Sequence, residues 1–268
     1  MSKRRILILT FVIIFVSALL SVNFIRQQYV VPIIMYHQIL ANPKPEYRLA
    51  VSVKAFQRQM HFLKKHRYNV VPLETLADLI KEKKKIPRRT VAITFDDGYK
   101  NQYTYAYHIL KKYNLPANFF IIINEVGRRN KWGIRDRLSW KQIKEMRDSG
   151  IISFGSHCLG PEPLINIKLE QVIKKEISYS KKIMEEKLNQ PITIFSYPEG
   201  KFNDKIRQLV IDAGYKLAVT TNPGKSFPND DIFALKRLRI SSTANNLFVF
   251  WIETSGYYNF IREQRRKK

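Results

Sequence analysis

Four short polar signals stand where apolar runs end. Val91 to Phe95 is an apolar, β-branched run that stops at Asp96-Asp97-Gly98. Val31 to Tyr36 stops at His37, Ile151 to Ser156 at His157, and Thr193 to Tyr197 at Pro198-Glu199-Gly200. Two carboxylates at the mouth of a buried strand are costly unless a cation or hydrogen-bond donors meet them. Gly98 lets the backbone swing away, so both side chains can face one cavity instead of alternating across a sheet. Taken alone, Asp96-Asp97-Gly98 reads as strand-end punctuation, because Asp and Gly are common turn residues. Gathered with histidines, the same carboxylates can hold a metal ion and move protons.

The elements that must position these residues follow from the pattern between them. Strands are expected at 29–37, 90–95, 117–123, 151–156, 193–197, 217–221 and 235–240. Helices are expected at 54–66, capped by Ser52, and at 73–84, 102–113 and 140–148, the last capped by Ser139 and stopped by Gly150. Further helices are expected at 168–188, 204–212 and 246–257. Strands alternating with helices argue for a parallel sheet with helices outside, and the length suits one barrel-type domain over residues 29–258. In such a barrel the four polar signals fall in the loops at the carboxyl ends of the strands, where active sites sit. That coincidence favours function over punctuation.

The chain has 268 residues, 45% of them hydrophobic, and one cysteine, Cys158, so it holds no internal disulfide and no cysteine-based zinc motif. Ser2-Lys3-Arg4-Arg5 precedes an apolar run from Ile6 to about Ile25. A run of that length can span a bilayer, and the basic flank places its amino end in the cytoplasm and the rest outside. Residues 1–28 therefore read as an uncleaved membrane anchor. A cleaved signal peptide, releasing a secreted protein, is the alternative, but no small-residue cleavage site precedes Arg26-Gln27-Gln28. The formal net charge of +25 suits polyanions. With export expected, the partners are the lipid bilayer and acidic envelope polymers, not nucleic acid. Residues 259–268 read as a basic tail.

Thr94-Phe95-Asp96-Asp97-Gly98-Tyr99 resembles the first motif of the polysaccharide deacetylases, carbohydrate esterase family four, whose catalytic unit is the NodB-homology domain. Further stretches fit in order. Leu138-Ser139-Trp140 resembles the approach to the second motif and Phe154-Gly155-Ser156-His157 its beginning. Phe195-Ser196-Tyr197-Pro198-Glu199-Gly200-Lys201-Phe202-Asn203 resembles the third motif. Asp212-Ala213-Gly214-Tyr215 and Leu235-Lys236-Arg237-Leu238-Arg239-Ile240 resemble the closing stretches. Val31-Pro32-Ile33-Ile34-Met35-Tyr36-His37 is similar to the branch in which the histidine strand stands first.

The resemblance implies a distorted (β/α) barrel of the deacetylase type behind one N-terminal transmembrane helix. It implies metal-dependent hydrolysis of N-acetyl groups on an extracellular polysaccharide containing N-acetylglucosamine: peptidoglycan, poly-N-acetylglucosamine or a chitin-like polymer. It makes Asp96 the general base, His37 the general acid, and the backbone N–H of Glu199 an oxyanion donor. Asp97 and His157 become ligands of a divalent metal of the zinc type, and Tyr99, Tyr197 and Pro198 contact substrate. The chain departs from the pattern at one place. The family's second motif supplies a further histidine four residues on, and here that position is Pro161. Glu162, one step off register, is the candidate replacement; Cys158 tends to point to the opposite face. The alternative reading is a catalytically silent, carbohydrate-binding or scaffold relative. His61, His66 and His108 fall on predicted helices and read as surface or packing residues, and Trp140 as core.

Overall fold

The computed structural model describes residues 3–27, 29–44, 46–130, 133, 135–221 and 231–258. The basic tail expected at 259–268 lies outside the described residues. The first helix, α1 (Lys3–Gln27), is exposed from Thr10 to Gln27 and is long and apolar enough there to cross a membrane.

The strands are β1 (Ile33–Tyr36), β2 (Gln38–Leu40), β3 (Ala50–Ser52), β4 (Asn69–Val70), β5 (Thr90–Phe95), β6 (Ala117–Ile121), β7 (Ile152–Ser156), β8 (Ile194–Ser196), β9 (Leu217–Thr220), β10 (Leu235–Lys236) and β11 (Leu238–Arg239). All described pairings between them are parallel, in the order β10-β9-β8-β7-β6-β5-β1-β11, with β4 beside the start of β5 and β2 paired with β3. The expected strand 235–240 is one chain direction interrupted at Arg237. Its first half pairs with β9 and its second half with β1, which closes the sheet into a near-complete barrel. β5, β6 and β9 are buried at every residue, as parallel strands covered on both faces must be.

The helices α2 (Val53–Lys65), α3 (Leu73–Lys81), α4 (His108–Tyr113), α5 (Trp140–Asp148), α6 (Glu170–Leu188), α7 (Asp204–Asp212) and α8 (Leu247–Thr254) pack outside. The expected caps form: Ser52 Oγ accepts from Ala55 N, and Ser139 closes a capping box with Gln142. The helix expected to reach Lys84 stops at Lys81, because Lys83 turns left-handed. The helix expected at 102–113 begins instead as a π-helical turn, Gln102–Tyr107. That wider turn carries Gln102 inward, and π-turns of this kind concentrate at functional sites.

Register places the mouth residues. Tyr36 stands opposite Phe95, so His37 and Asp96 leave the barrel side by side. Ser156 stands opposite both Ile121 and Phe195, which sets His157 beside the third loop. Beneath them Tyr36, Phe95 and Phe119 form a continuous ring stack, with centroids 5.3 and 4.5 Å apart. At Gly155 an added Cβ would lie 2.5 Å from Ile194 Cγ1, so the strand before His157 packs closer than a side chain permits.

Candidate active site

Asp96 is buried, and its carboxylate meets Arg237 in a two-pronged pair. Nη1 donates to Oδ1 at 2.7 Å and Nη2 to Oδ2 at 2.6 Å. Arg237 spends its remaining donors on the Thr94 hydroxyl (3.2 Å), the Ser196 hydroxyl (2.9 Å) and the Thr220 carbonyl (2.9 Å). All five guanidinium N–H groups are thereby used, which is what lets a full charge sit inside a barrel. Burial pushes the Asp96 carboxyl up, but Arg237, by charge and hydrogen bonds, and the nearby histidines overrule it and hold the group below its ordinary range. Gln102 Nε2 donates to two backbone carbonyls, Asp96 at 2.6 Å and His37 at 2.7 Å, and so ties the ends of β5 and β1 together.

Asp97 sits in different surroundings. Its backbone is left-handed, with φ 71°, a conformation that costs a residue with a side chain about 1 kcal/mol or more. Arg137 Nη1 secures the turn by donating to the Asp97 carbonyl at 2.7 Å, while its guanidinium stacks on the Tyr99 ring 4.1 Å away. The Asp97 carboxylate is partly exposed, and its Oδ1 lies 3.6 Å from Nε2 of the buried His157. His157 Nδ1 is 2.8 Å from the Ser196 carbonyl. A carbonyl only accepts, so Nδ1 carries a proton, and Nε2 is the nitrogen that faces Asp97.

A separation of 3.6 Å fits two ligands of one ion: metal–ligand bonds of ~2.0–2.2 Å at a tetrahedral angle put their donors about 3.4 Å apart. The imidazole tautomer, fixed by a carbonyl behind it, is the arrangement that metal-binding histidines use. The donor set stops at two, because among the described residues no group of three His, Cys, Asp or Glu side chains converges. Glu162 does not join: it is exposed, and its carboxylate accepts from Asn166 Nδ2 at 2.7 Å. Cys158 turns left-handed (φ 68°) and buries its sulfur in the core, where desolvation pushes the thiol pKa far up.

His37 stands partly exposed at the end of β1 with its Nδ1 buried and unpartnered. Desolvation lowers its pKa below the ordinary 6.5, against the pull of Asp96 and Asp97. Glu199 occupies the turn after β8 with φ 54°, its side chain turned out to Lys201 and its carbonyl accepting from Thr221 Oγ1. Gly200 holds that turn against β9, where an added Cβ would meet the Thr221 backbone N at 2.3 Å. Tyr197 corrects the sequence reading: it is fully buried, its hydroxyl donates to the Phe233 carbonyl at 3.0 Å, and its ring stacks on Phe202. A ring closed off in this way props the turn and does not touch substrate; Pro198 is likewise buried. Tyr99 stays at the surface beside Asp97.

The structure thus brings Asp96, Asp97, His37 and His157 to one mouth and leaves Glu162 and Tyr197 out of it. Sequence reasoning missed Arg237, Gln102, Ser196 and Arg137. Only Arg237 left a trace, as part of the closing stretch Leu235 to Ile240. His66, His61 and His108 are exposed and lie against Phe62, Tyr113 and Tyr103 respectively, away from the mouth, where surface or packing residues were expected.

The family model for polysaccharide deacetylase matches residues 83–218. The poly-β-1,6-N-acetyl-D-glucosamine N-deacetylase of Staphylococcus aureus is 31% identical over 202 residues, 73% of this chain and 69% of that one. Among solved structures, the Streptococcus pyogenes deacetylase PplD in complex with acetate superposes with a TM-score of 0.72 at 30% identity, over 82% of this chain and 97% of that one. IcaB from Ammonifex degensii superposes with a TM-score of 0.74 at 25% identity, over 84% and 97%. With the same barrel, and with Asp96, Asp97 and His157 at its mouth, this chain belongs to the polysaccharide deacetylase family, enzymes that hydrolyse non-peptide carbon–nitrogen bonds.

Proposed function

We propose that this chain removes N-acetyl groups from a polysaccharide containing N-acetylglucosamine, outside the membrane to which α1 fastens it. The observation that carries the reading is the juxtaposition of Asp96, held as a carboxylate by Arg237, with the Asp97–His157 pair at the barrel mouth. The named activity of the Staphylococcus aureus relative supports a β-linked N-acetylglucosamine polymer as substrate. The apolar α1 with its basic flank supports attachment with the barrel outside.

Asp97 and His157 would hold a divalent ion of the zinc type, which would polarise the acetyl carbonyl and make a bound water more acidic. The protein's own groups do the rest. Each Asp96 oxygen keeps a lone pair beyond its bond to Arg237, and Asp96 takes the proton of the attacking water. Arg237 keeps that carboxylate ionised and fixed, so no reorganisation is needed when the proton moves. The backbone N–H of Glu199, presented by the left-handed turn, donates to the oxygen that becomes negative. His37, whose strand end Gln102 ties to that of Asp96, donates a proton to the departing sugar amine from its protonated form. Tyr99 lines the approach.

Purified full-length chain supplied with zinc or cobalt should release acetate from poly-β-1,6-N-acetylglucosamine, chitin oligomers or peptidoglycan, and Asp96→Asn should abolish the release. No acetate from any of these glycans sinks the reading. Glycan binding without acetate would favour a catalytically silent relative, for which the two-donor set is the supporting observation.

A further inference from the structure

We propose that the flank formed by α2 and α8 seats on an anionic lipid surface and lays the barrel on its side against the bilayer. The proposal rests on the anchored reading of α1. Three observations on one face carry it.

A groove of about 830 Å³ runs between α2 and the start of α8. Lys54, Arg58, His61 and Lys65 line it above an apolar floor that includes Phe62 and Leu247, and no carboxylate is among its lining residues. None of Lys54, Arg58 and Lys65 forms an ion pair among the described residues. Beside this groove α8 turns two aromatic rings to solvent. Phe248 is 63% exposed and Trp251 48%, with ring centroids 5.7 Å apart. The same helix buries Phe250 against Phe62 of α2, so the exposed pair is a rigid feature of the flank.

The third observation fixes the occupant. The chain arriving from α1 joins the barrel at the end of α8: Val30 N donates to the Gly256 carbonyl at 2.9 Å, and Tyr29 packs edge-on against Tyr257. Trp251 is five residues before Gly256, about 7–8 Å along a helical path. Any membrane that holds α1 is therefore within reach of the aromatic pair. Tryptophan favours the headgroup level of a bilayer, and unneutralised Lys and Arg beside an apolar face favour anionic lipid. Because α8 runs from the mouth end of β11 to the anchor junction, a seated flank turns the barrel mouth sideways along the membrane.

The test uses full-length chain carrying Trp132→Phe and Trp140→Phe, which leaves Trp251 as its one tryptophan. It is reconstituted into phosphatidylcholine vesicles with or without phosphatidylglycerol, both brominated high on the acyl chains. Flotation reports attachment, and Trp251 emission reports seating. In phosphatidylglycerol vesicles the emission should shift to the blue and lose intensity. Both effects should fall away in phosphatidylcholine alone and with Lys54→Glu, Arg58→Glu and Lys65→Glu combined. Chain that floats with unquenched, water-like emission overturns the seating alone, as does quenching indifferent to lipid charge. Chain that does not float overturns the anchored reading and the seating together.

Discussion

Asp96 and Asp97 are neighbours in the chain and opposites in environment. Asp96 is inside the barrel, its charge matched by Arg237, and that arginine has every donor used. Asp97 is partly exposed on a strained left-handed turn, 3.6 Å from Nε2 of His157, with no further His, Cys, Asp or Glu side chain converging among the described residues. One half of the site is complete as protein, and the other is built to be completed by something bound. Ser196 joins them: its hydroxyl accepts from Arg237, and its carbonyl sets the tautomer of His157. With Asp96 as base and Asp97 and His157 as ligands, as proposed above, the base is preassembled and affinity for the ion is the adjustable quantity.

Breaking the closed half should have the largest effect. Arg237→Met leaves a buried carboxylate without its cation and should cost about 3–5 kcal/mol of stability, read by denaturant unfolding at neutral pH. A loss below about 1 kcal/mol would show that the pair is not closed off from water as described. The open half can be sharpened by Pro161→His, which offers a third donor four residues after His157. Metal affinity should rise tenfold or more, about 1.4 kcal/mol, in a calorimetric titration, with stability of the metal-free chain unchanged.

The pH dependence of stability should belong to the closed half. The Asp96 carboxyl is depressed in the folded protein below its ordinary 3.8. Its contribution is therefore present above that value and is lost as pH falls through the lower, folded value. Acid unfolding followed by circular dichroism should be shallower in Asp96→Asn than in the parent chain. A modest effect separates the two roles of Ser196. Ser196→Ala removes one acceptor from Arg237 and should cost about 1–2 kcal/mol, while metal affinity stays put because the carbonyl behind His157 remains.

The strands, the caps at Ser52 and Ser139 and the four mouth signals were legible because each is written in contiguous residues. What was not legible depends on the barrel closing. Arg237 lies 141 residues from Asp96 and is one of 47 Lys and Arg residues. Its role exists only because the strand around it pairs with β9 before it and β1 after it. Gln102 reaches the site because its helix opens as a π-turn, which periodicity does not reveal. Glu162 is near His157 in the chain, yet its turn carries it out to Asn166. Tyr197 has the residue type of a sugar contact, but its ring is the floor under the turn.

The central claim is that Asp97 and His157 are the two protein ligands of a divalent ion beside an independently held base. Isothermal titration of metal-free, full-length chain with zinc, repeated on Asp97→Ala, tests it most directly. One ion should bind per parent chain and none to Asp97→Ala, with the variant still folded. Binding of equal affinity and stoichiometry to both chains would contradict it.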